Sequence, residues 1–231
     1  MIRLALLLAL LLAPQQNMFW SQNAPTGLVG WWKLSEGSGT TAYDSSGNGN
    51  NAVWSGGQVG TSGYYSAGRV GPWAGSFDGT STKLLTTVTG TFTQFTLSEW
   101  IYSTGTSGYV ITVYFGGTTL AAENAGNTFR VVNWTFAANP NTFGSTTNSY
   151  WLNTWHLFTV SEDSTSVYVY LDGVLSATGT RNLASGSVTN PVLQLGTIYA
   201  GRDLNGYAND VRLYNRALSA GEIAGLARNH N

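Results

Sequence analysis

No cysteine occurs in the 231 residues, which rules out disulfides, thiol catalysis and cysteine–zinc sites. Charge is scarce as well. Ten Lys and Arg and eleven Asp and Glu make up only 9% of the chain, against roughly a quarter in ordinary soluble domains. With a net charge of −1, composition supplies no electrostatic argument for nucleic acid or anionic lipid. The two histidines, His156 and His230, form no zinc-binding cluster in the sequence. No glycine-rich loop opens a helix to cradle phosphate, and no G-x-S-x-G marks a nucleophile elbow. The longest apolar run, in MIRLALLLALLLA, holds about ten apolar residues, too few to span a bilayer.

That run follows Arg3 and has the shape of a secretory signal peptide, although Pro14 and the lack of an A-x-A site blur the cleavage point. Residues 1–24 therefore read as a signal peptide and polar linker. Residues 25–231 read as one domain, sized for a single core by 42% hydrophobic and 13% aromatic residues. From about residue 27 the pattern is β. Short runs such as TFTQFTLSEWIY, GYVITVYFGG and PVLQLGTIYAG are rich in β-branched and aromatic residues, and Gly, Asn and Ser separate them. In SVYVYLDG, Val167, Val169 and Leu171 alternate with Tyr168 and Tyr170, and Asp172-Gly173 is a hairpin-turn signal. Only YANDVRLYNRALSAGEIAGL breaks the pattern, as a strand running into a short helix that Ser219 and Glu222 start as a capping box.

Five stretches occur in a telling order: GLVGWWKLSEGSGTTAYDSSGNGNNAV, SFDGTSTKLL, FTLSEWIY, WHLFTVSEDSTSVYVYLDGVL and GYANDVRLYNRALSAGEIAGL. Together they resemble the laminin-G-like, concanavalin-A-like jelly-roll domains, over about residues 27–227. The resemblance implies an all-β fold: a two-sheet antiparallel jelly-roll sandwich with adjacent terminal strands and a short C-terminal helix covering the sandwich edge. It also implies that Trp31, Trp32, Trp100 and Trp155 belong to the core and that His156 is structural.

The same broad fold hosts glycoside hydrolases, which need two carboxylates about 5–9.5 Å apart. Most of the acids fail this on placement. Glu36, Asp44, Asp78, Asp172, Asp203 and Asp210 lie in or beside turns and strand ends; Glu162 and Asp163 are adjacent and would face opposite ways; Glu222 caps the helix; Glu123 sits in a polar stretch. Glu99 alone lies inside a strong strand pattern, sharing a face with Phe95, Leu97 and Ile101. Its two readings are a ligand-facing carboxylate on the concave sheet and a partnered acid near the sheet edge. Having no second carboxylate on its strand argues against catalysis, so the chain reads as a non-enzyme.

A binding module instead needs aromatic rings to stack on sugars, and nine Trp and twelve Tyr are present. Trp54, Trp73, Tyr150 and Trp151 stand among Gly, Ser, Asn and Pro, and are the loop-borne candidates for ligand contact, with Glu99 beside them. The resemblance further implies a structural Ca²⁺ between the N-terminal region and the last strand. Asp44 and Asn48 in AYDSSGNGN are its candidate ligands, with Asn209 where relatives carry Asp. An amide for a carboxylate weakens such a site, and Asp210 compensates only if the backbone is distorted. The expected function is a secreted, lectin-like, non-catalytic domain whose partner is a glycan or an extracellular protein. A self-associating structural module of a cell surface, matrix or virion is the alternative, and a glycoside hydrolase comes third.

Overall fold

The computed structural model describes residues 25–105, 108–115, 118–125, 128–135, 141–147, 152–180, 186–196 and 203–228, those from 108 to 147 by their backbone. The described strands in chain order begin with β1 (Leu28–Trp32), β2 (Thr41–Ala42), β3 (Ala52–Ser55), β4 (Tyr65–Ala67), β5 (Trp73–Asp78) and β6 (Lys83–Thr87). Next come β7 (Thr91–Phe92), β8 (Phe95–Ser103), β9 (Gly108–Phe115), β10 (Thr118–Ala125), β11 (Thr128–Thr135) and β12 (Asn141–Thr147). Last are β13 (Trp155–Glu162), β14 (Ser166–Leu171), β15 (Val174–Thr180), β16 (Val188–Thr189), β17 (Val192–Gly196) and β18 (Asn205–Tyr214), before the helix α1 (Ala220–Arg228).

Two large sheets form the sandwich. One runs β15-β14-β13-β8-β18-β5-β4, with β1 also on β18; the other runs β12-β11-β10-β9-β17-β6-β3-β2. The pairings within both are antiparallel, and β1 lies against β18 as expected. Alternation then builds the layers. Phe95, Leu97 and Ile101 of β8 and Val167 and Val169 of β14 point inward, where they meet Leu84, Leu193 and Leu195 of the opposite sheet. Trp100 of β8 and Tyr170 of β14 point the other way. The Asp172-Gly173 turn closes the β14–β15 hairpin with φ of 50° and 80°, a pair of left-handed residues that suits strand twist.

The capping box forms as read. The Glu222 amide donates to Ser219 Oγ, and Glu222 Oε2 accepts from the Ser219 amide at 2.8 Å. The helix lies against the β14–β15 hairpin at the end of the first sheet, where a Cβ on Gly173 would come within 2.9 Å of Ala227, and it also reaches over the sheet. Ile223, Leu226 and Ala227 pack on the outer face of the first sheet, against Trp100, Leu157, Tyr170 and Tyr214. That face carries its own row of large apolar side chains, and only a helix lying across them removes them from water. Among the described residues no helix is long and apolar enough to cross a membrane.

Trp54 also lies elsewhere than its polar neighbours in the sequence imply. It is not loop-borne but a β3 residue, 3% exposed, with its ring stacked on Tyr64 at 5.2 Å and tilted against Phe77 at 5.1 Å. Its indole N–H donates to the Tyr65 hydroxyl at 3.0 Å, so the one polar atom is satisfied. Gly75 makes the room: a Cβ there would come within 2.7 Å of the indole.

Strand β18 is forked. Its first half pairs with β5 and its second with β1, and the register on β8 slips between Asn209 and Arg212. Asp210 has φ 54°, a bulge conformation costly for a residue with a Cβ. Asn209 sits at the fork, fully buried, and makes four hydrogen bonds to backbone. Its Nδ2 donates to Lys33 O at 2.6 Å and Trp73 O at 3.2 Å, joining the two strands that share β18. Its Oδ1 accepts from the amides of Arg69 at 3.1 Å and Val70 at 2.6 Å, fastening the preceding loop.

Candidate ligand-binding face

Three aromatic residues meet on the outer face of the first sheet, at one end. The register places Trp155 opposite Tyr102 and Tyr102 opposite Tyr207, on β13, β8 and β18. Their ring centroids form a near-equilateral triangle, with sides of 5.6 Å (Tyr102–Trp155), 5.5 Å (Tyr102–Tyr207) and 6.4 Å (Trp155–Tyr207). All three are half-buried, so the cluster is packed together yet keeps surface open to solvent. Backbone bonds hold the strand ends in place: Thr104 N–H donates to Asn205 O and Asn153 N–H to Ser103 O, both at 2.9 Å. The described rim residues Thr104 and Asn205 are neutral, with Thr104 Oγ1 donating to Asn205 Oδ1 at 3.0 Å.

One step along the strands on this face lie Leu157, Trp100 and Asn209. The Arg69 guanidinium covers the Trp100 ring at 3.8 Å, a cation–π contact that seals the indole. Asp172 Oδ2 lies 2.8 Å from His156 Nδ1, and its Oδ1 accepts from the Leu157 amide, so this pair locks the β14–β15 turn onto β13. His156 is thus placed by a carboxylate within the fold, in keeping with a structural role.

Glu99 lies in neither place the sequence suggested. It is fully buried in the interior between the sheets, opposite Phe158 and between Leu97 and Ile101, and among the described residues neither carboxyl oxygen has a hydrogen-bond partner. Burial alone pushes its pKa well above the ordinary value, which favours the neutral acid. Its location on the inward face takes it away from any ligand on the outer one. Asp210, by contrast, is held by Arg212 at 3.0 Å and by the Trp31 indole at 2.6 Å. Trp31 itself is half-buried rather than core, with the Arg212 guanidinium 4.8 Å and Lys33 Nζ 4.5 Å from its ring.

The residues proposed for calcium do not fit it. Asp44 accepts three backbone N–H bonds, from Trp31 and Ser46 on one oxygen and from Asn50 on the other, at 2.8–2.9 Å. Burial would raise its pKa, but these bonds from Ser46, Trp31 and Asn50 outweigh that and hold it low. Asn48 turns its amide nitrogen towards Leu28 O and Ser46 Oγ. Asn209 spends its oxygen on two other amides at the fork. A cation of this type needs six to eight converging oxygens. Here the oxygens face N–H donors, and those of Asp44 and Asn209 face different ones. The backbone distortion at Asp210 does occur, yet it delivers that carboxylate to Trp31 and Arg212.

Of the aromatic candidates, Trp54 is in the core and Trp73 is a half-buried β5 residue packed over Gly37, whose added Cβ would come within 2.4 Å of the indole nitrogen. Tyr150 and Trp151 lie outside the described residues. Tyr102, Trp155 and Tyr207 were not singled out by the sequence, and Trp155 is half-buried where core was expected. Their only local signal is an aromatic beside polar and turn residues at a strand end, in YST, NTW and NGY.

A family profile described as the concanavalin A-like lectin/glucanases superfamily matches residues 75–224. No curated protein matches the chain significantly in sequence. Among solved structures, the chain is similar to domain 4 of an extracellular family-43 arabinanase from Geobacillus stearothermophilus, determined with arabinotriose. That likeness has a TM-score of 0.60 and 19% identity, and covers 87% of this chain and 98% of that domain. The binding domain of Paraclostridial Mosquitocidal Protein 1 is similar at TM-score 0.66 and 15% identity, over 88% of this chain and 52% of that one. The receptor-binding domain of botulinum neurotoxin D follows at 0.64 and 11%, again over 88% and 52%. The chain thus spans about half of the two toxin domains.

Proposed function

The chain belongs to the concanavalin A-like lectin/glucanase superfamily, and from that premise we propose that it is an extracellular, non-catalytic module that binds neutral carbohydrate. The observation that carries this reading is the Tyr102–Trp155–Tyr207 cluster. Half-buried rings packed on one another are pre-organised, so little side-chain entropy is lost when a sugar covers them. Their faces receive the C–H side of a sugar ring, while the tyrosine hydroxyls, Thr104 and Asn205 are the groups that meet hydroxyls. The neutral Thr104 and Asn205 suit ligands recognised through hydroxyls rather than formal charge. The non-catalytic reading rests on the acids already placed: Glu99 inside the core, Asp210 and Asp172 engaged in holding the backbone and turn.

Isothermal titration with arabinotriose and a panel of neutral oligosaccharides tests the assignment. Trp155→Ala and Tyr102→Ala should each weaken binding by about five- to thirtyfold, the scale of 1–2 kcal/mol for aromatic contacts, with the β-sheet circular dichroism retained. Glycan binding that survives in both variants would place the site elsewhere.

A further inference from the structure

We propose that Asn48 is a self-modification site: its side-chain amide is lost to water through a succinimide formed with Gly49, leaving aspartate and isoaspartate at position 48. The reaction does not depend on what the outer face binds. Asparagine amides are chemically labile. They are most so before glycine, which hinders neither the approach of its own nitrogen nor the backbone rotation that the approach needs. The sequence holds two such pairs, Asn48-Gly49 and Asn205-Gly206, and the fold treats them differently.

The second pair is protected. Gly206 lies in β18 between two strands, opposite Phe77 of β5 and Ser103 of β8, so its nitrogen cannot swing towards the Asn205 side chain while the sheet is closed. The β8 backbone is so near that a Cβ on Gly206 would come within 2.0 Å of Tyr102 O. Asn205 is held as well. Its Oδ1 accepts from Thr104 Oγ1 at 3.0 Å, and its backbone carbonyl accepts from the Thr104 amide at 2.9 Å. Reaction at 205 therefore waits on local opening of a central strand.

The first pair has no such restraint. Asn48 and Gly49 are both exposed, in the loop between β2 and β3 and outside any ladder. Gly49 has φ 76°, and the space where a Cβ would stand is empty to 4 Å. Among the described residues its N–H donates no hydrogen bond, so the attacking nitrogen is uncommitted. The leaving nitrogen, Asn48 Nδ2, is held only by Leu28 O at 3.3 Å and Ser46 Oγ at 3.0 Å.

The Gly49 nitrogen gives up its proton and attacks Asn48 Cγ. The N–Cγ bond forms, the Cγ–Nδ2 bond breaks, and Nδ2 leaves as ammonia with a proton in place of that bond. Water then opens the ring. Hydrolysis at Cγ leaves aspartate, and hydrolysis at the backbone carbonyl leaves isoaspartate, with the main chain rerouted through Cγ. Either product lacks Nδ2 and loses both of its bonds, and each adds a negative charge to a loop that already holds Asp44. The loop's grip on β1 loosens, but Asn50 Nδ2 still donates to Val29 O at 2.8 Å and keeps the strand attached.

Timed incubation of the folded protein in mildly alkaline buffer provides the test, read by peptide mass spectrometry with fragmentation that resolves Asn48 from Asn50 and Asn51. Asn48 should convert at least about tenfold faster than Asn205, whose reaction needs the sheet to open. In urea the two should convert at comparable rates. Asn48→Gln, which can close only a larger and slower ring, should abolish conversion at that position. Asn48→Asp copies one product without the wait, and should stay folded but melt below the wild type. Asn205 converting as fast as Asn48 in the folded protein, Asn48 staying intact when folded yet reacting in urea, or Asn48→Asp melting no lower than the wild type would each overturn the proposal.

Discussion

Glu99→Leu is the perturbation that most directly probes how this core was assembled. The wild-type carboxyl is fully buried, sits beside Leu97, Ile101 and Phe158, and has no hydrogen-bond partner on either oxygen among the described residues. Leaving such a group unsatisfied costs about 1–3 kcal/mol even when it is neutral, and a leucine of similar size removes that cost. Near pH 5 the variant should therefore be more stable by about 1–3 kcal/mol, at roughly 2–4 °C of melting temperature per kcal/mol for a domain of this length. The difference should grow with pH. Burial raises the folded-state pKa above the ordinary 4.5, so the group's contribution is fully present below that value. It is then lost as pH rises towards the folded-state pKa, at up to about 1.4 kcal/mol per pH unit. Urea unfolding followed by tryptophan fluorescence near pH 5 and near pH 8 reads both effects. Glu99→Gln isolates the second: it keeps a buried polar group but should flatten the pH slope. A Glu99→Leu protein less stable than wild type, or a slope unchanged in Glu99→Gln, would refute the reasoning.

Asn209→Asp removes the two donors that join Lys33 O to Trp73 O and sets a carboxylate against those carbonyls, so it should cost about 3–5 kcal/mol. Because the oxygens nearby face N–H donors, calcium should restore none of that stability; melting curves with calcium and with chelator decide it, and a calcium-dependent rise in either protein would contradict the geometry. At the helix cap, the Arg216 hydrogen bond draws the Glu222 pKa down to about 2 despite the opposing effect of burial, with Ser219 assisting. Its stabilising contribution should be complete above the ordinary 4.5 and disappear as pH falls towards 2, modest in size because the pair is partly exposed. Carbon-13 NMR of the carboxyl in Arg216→Ala should show the titration moving up towards 4.5, and an unmoved titration would remove Arg216 as the cause.

What depends on neighbours along the chain was legible from the start. Alternation in SVYVYL set the inward valines against the outward tyrosines, Asp172-Gly173 closed the hairpin, and Ser219 with Glu222 began the helix, since each is a local pattern of a few residues. Glu99 was correctly assigned to the face of Phe95, Leu97 and Ile101 for the same reason. Alternation tells which residues share a face. It does not tell what the face meets, and only sheet-on-sheet packing made that face interior. Trp54 looked like a loop residue because its neighbours are small and polar, yet Gly75 and Phe77, more than twenty positions away, form its pocket. Asn209 read as a substituted calcium ligand until the fork between β5 and β1 supplied two carbonyls that only an amide donor can satisfy. The candidate binding cluster needs residues 102, 155 and 207 to fall in one register across three strands. Which strands pair, and in what register, is decided by the energy of the whole sandwich rather than by any single segment, so the local pattern specified the strands and the tertiary structure made the site.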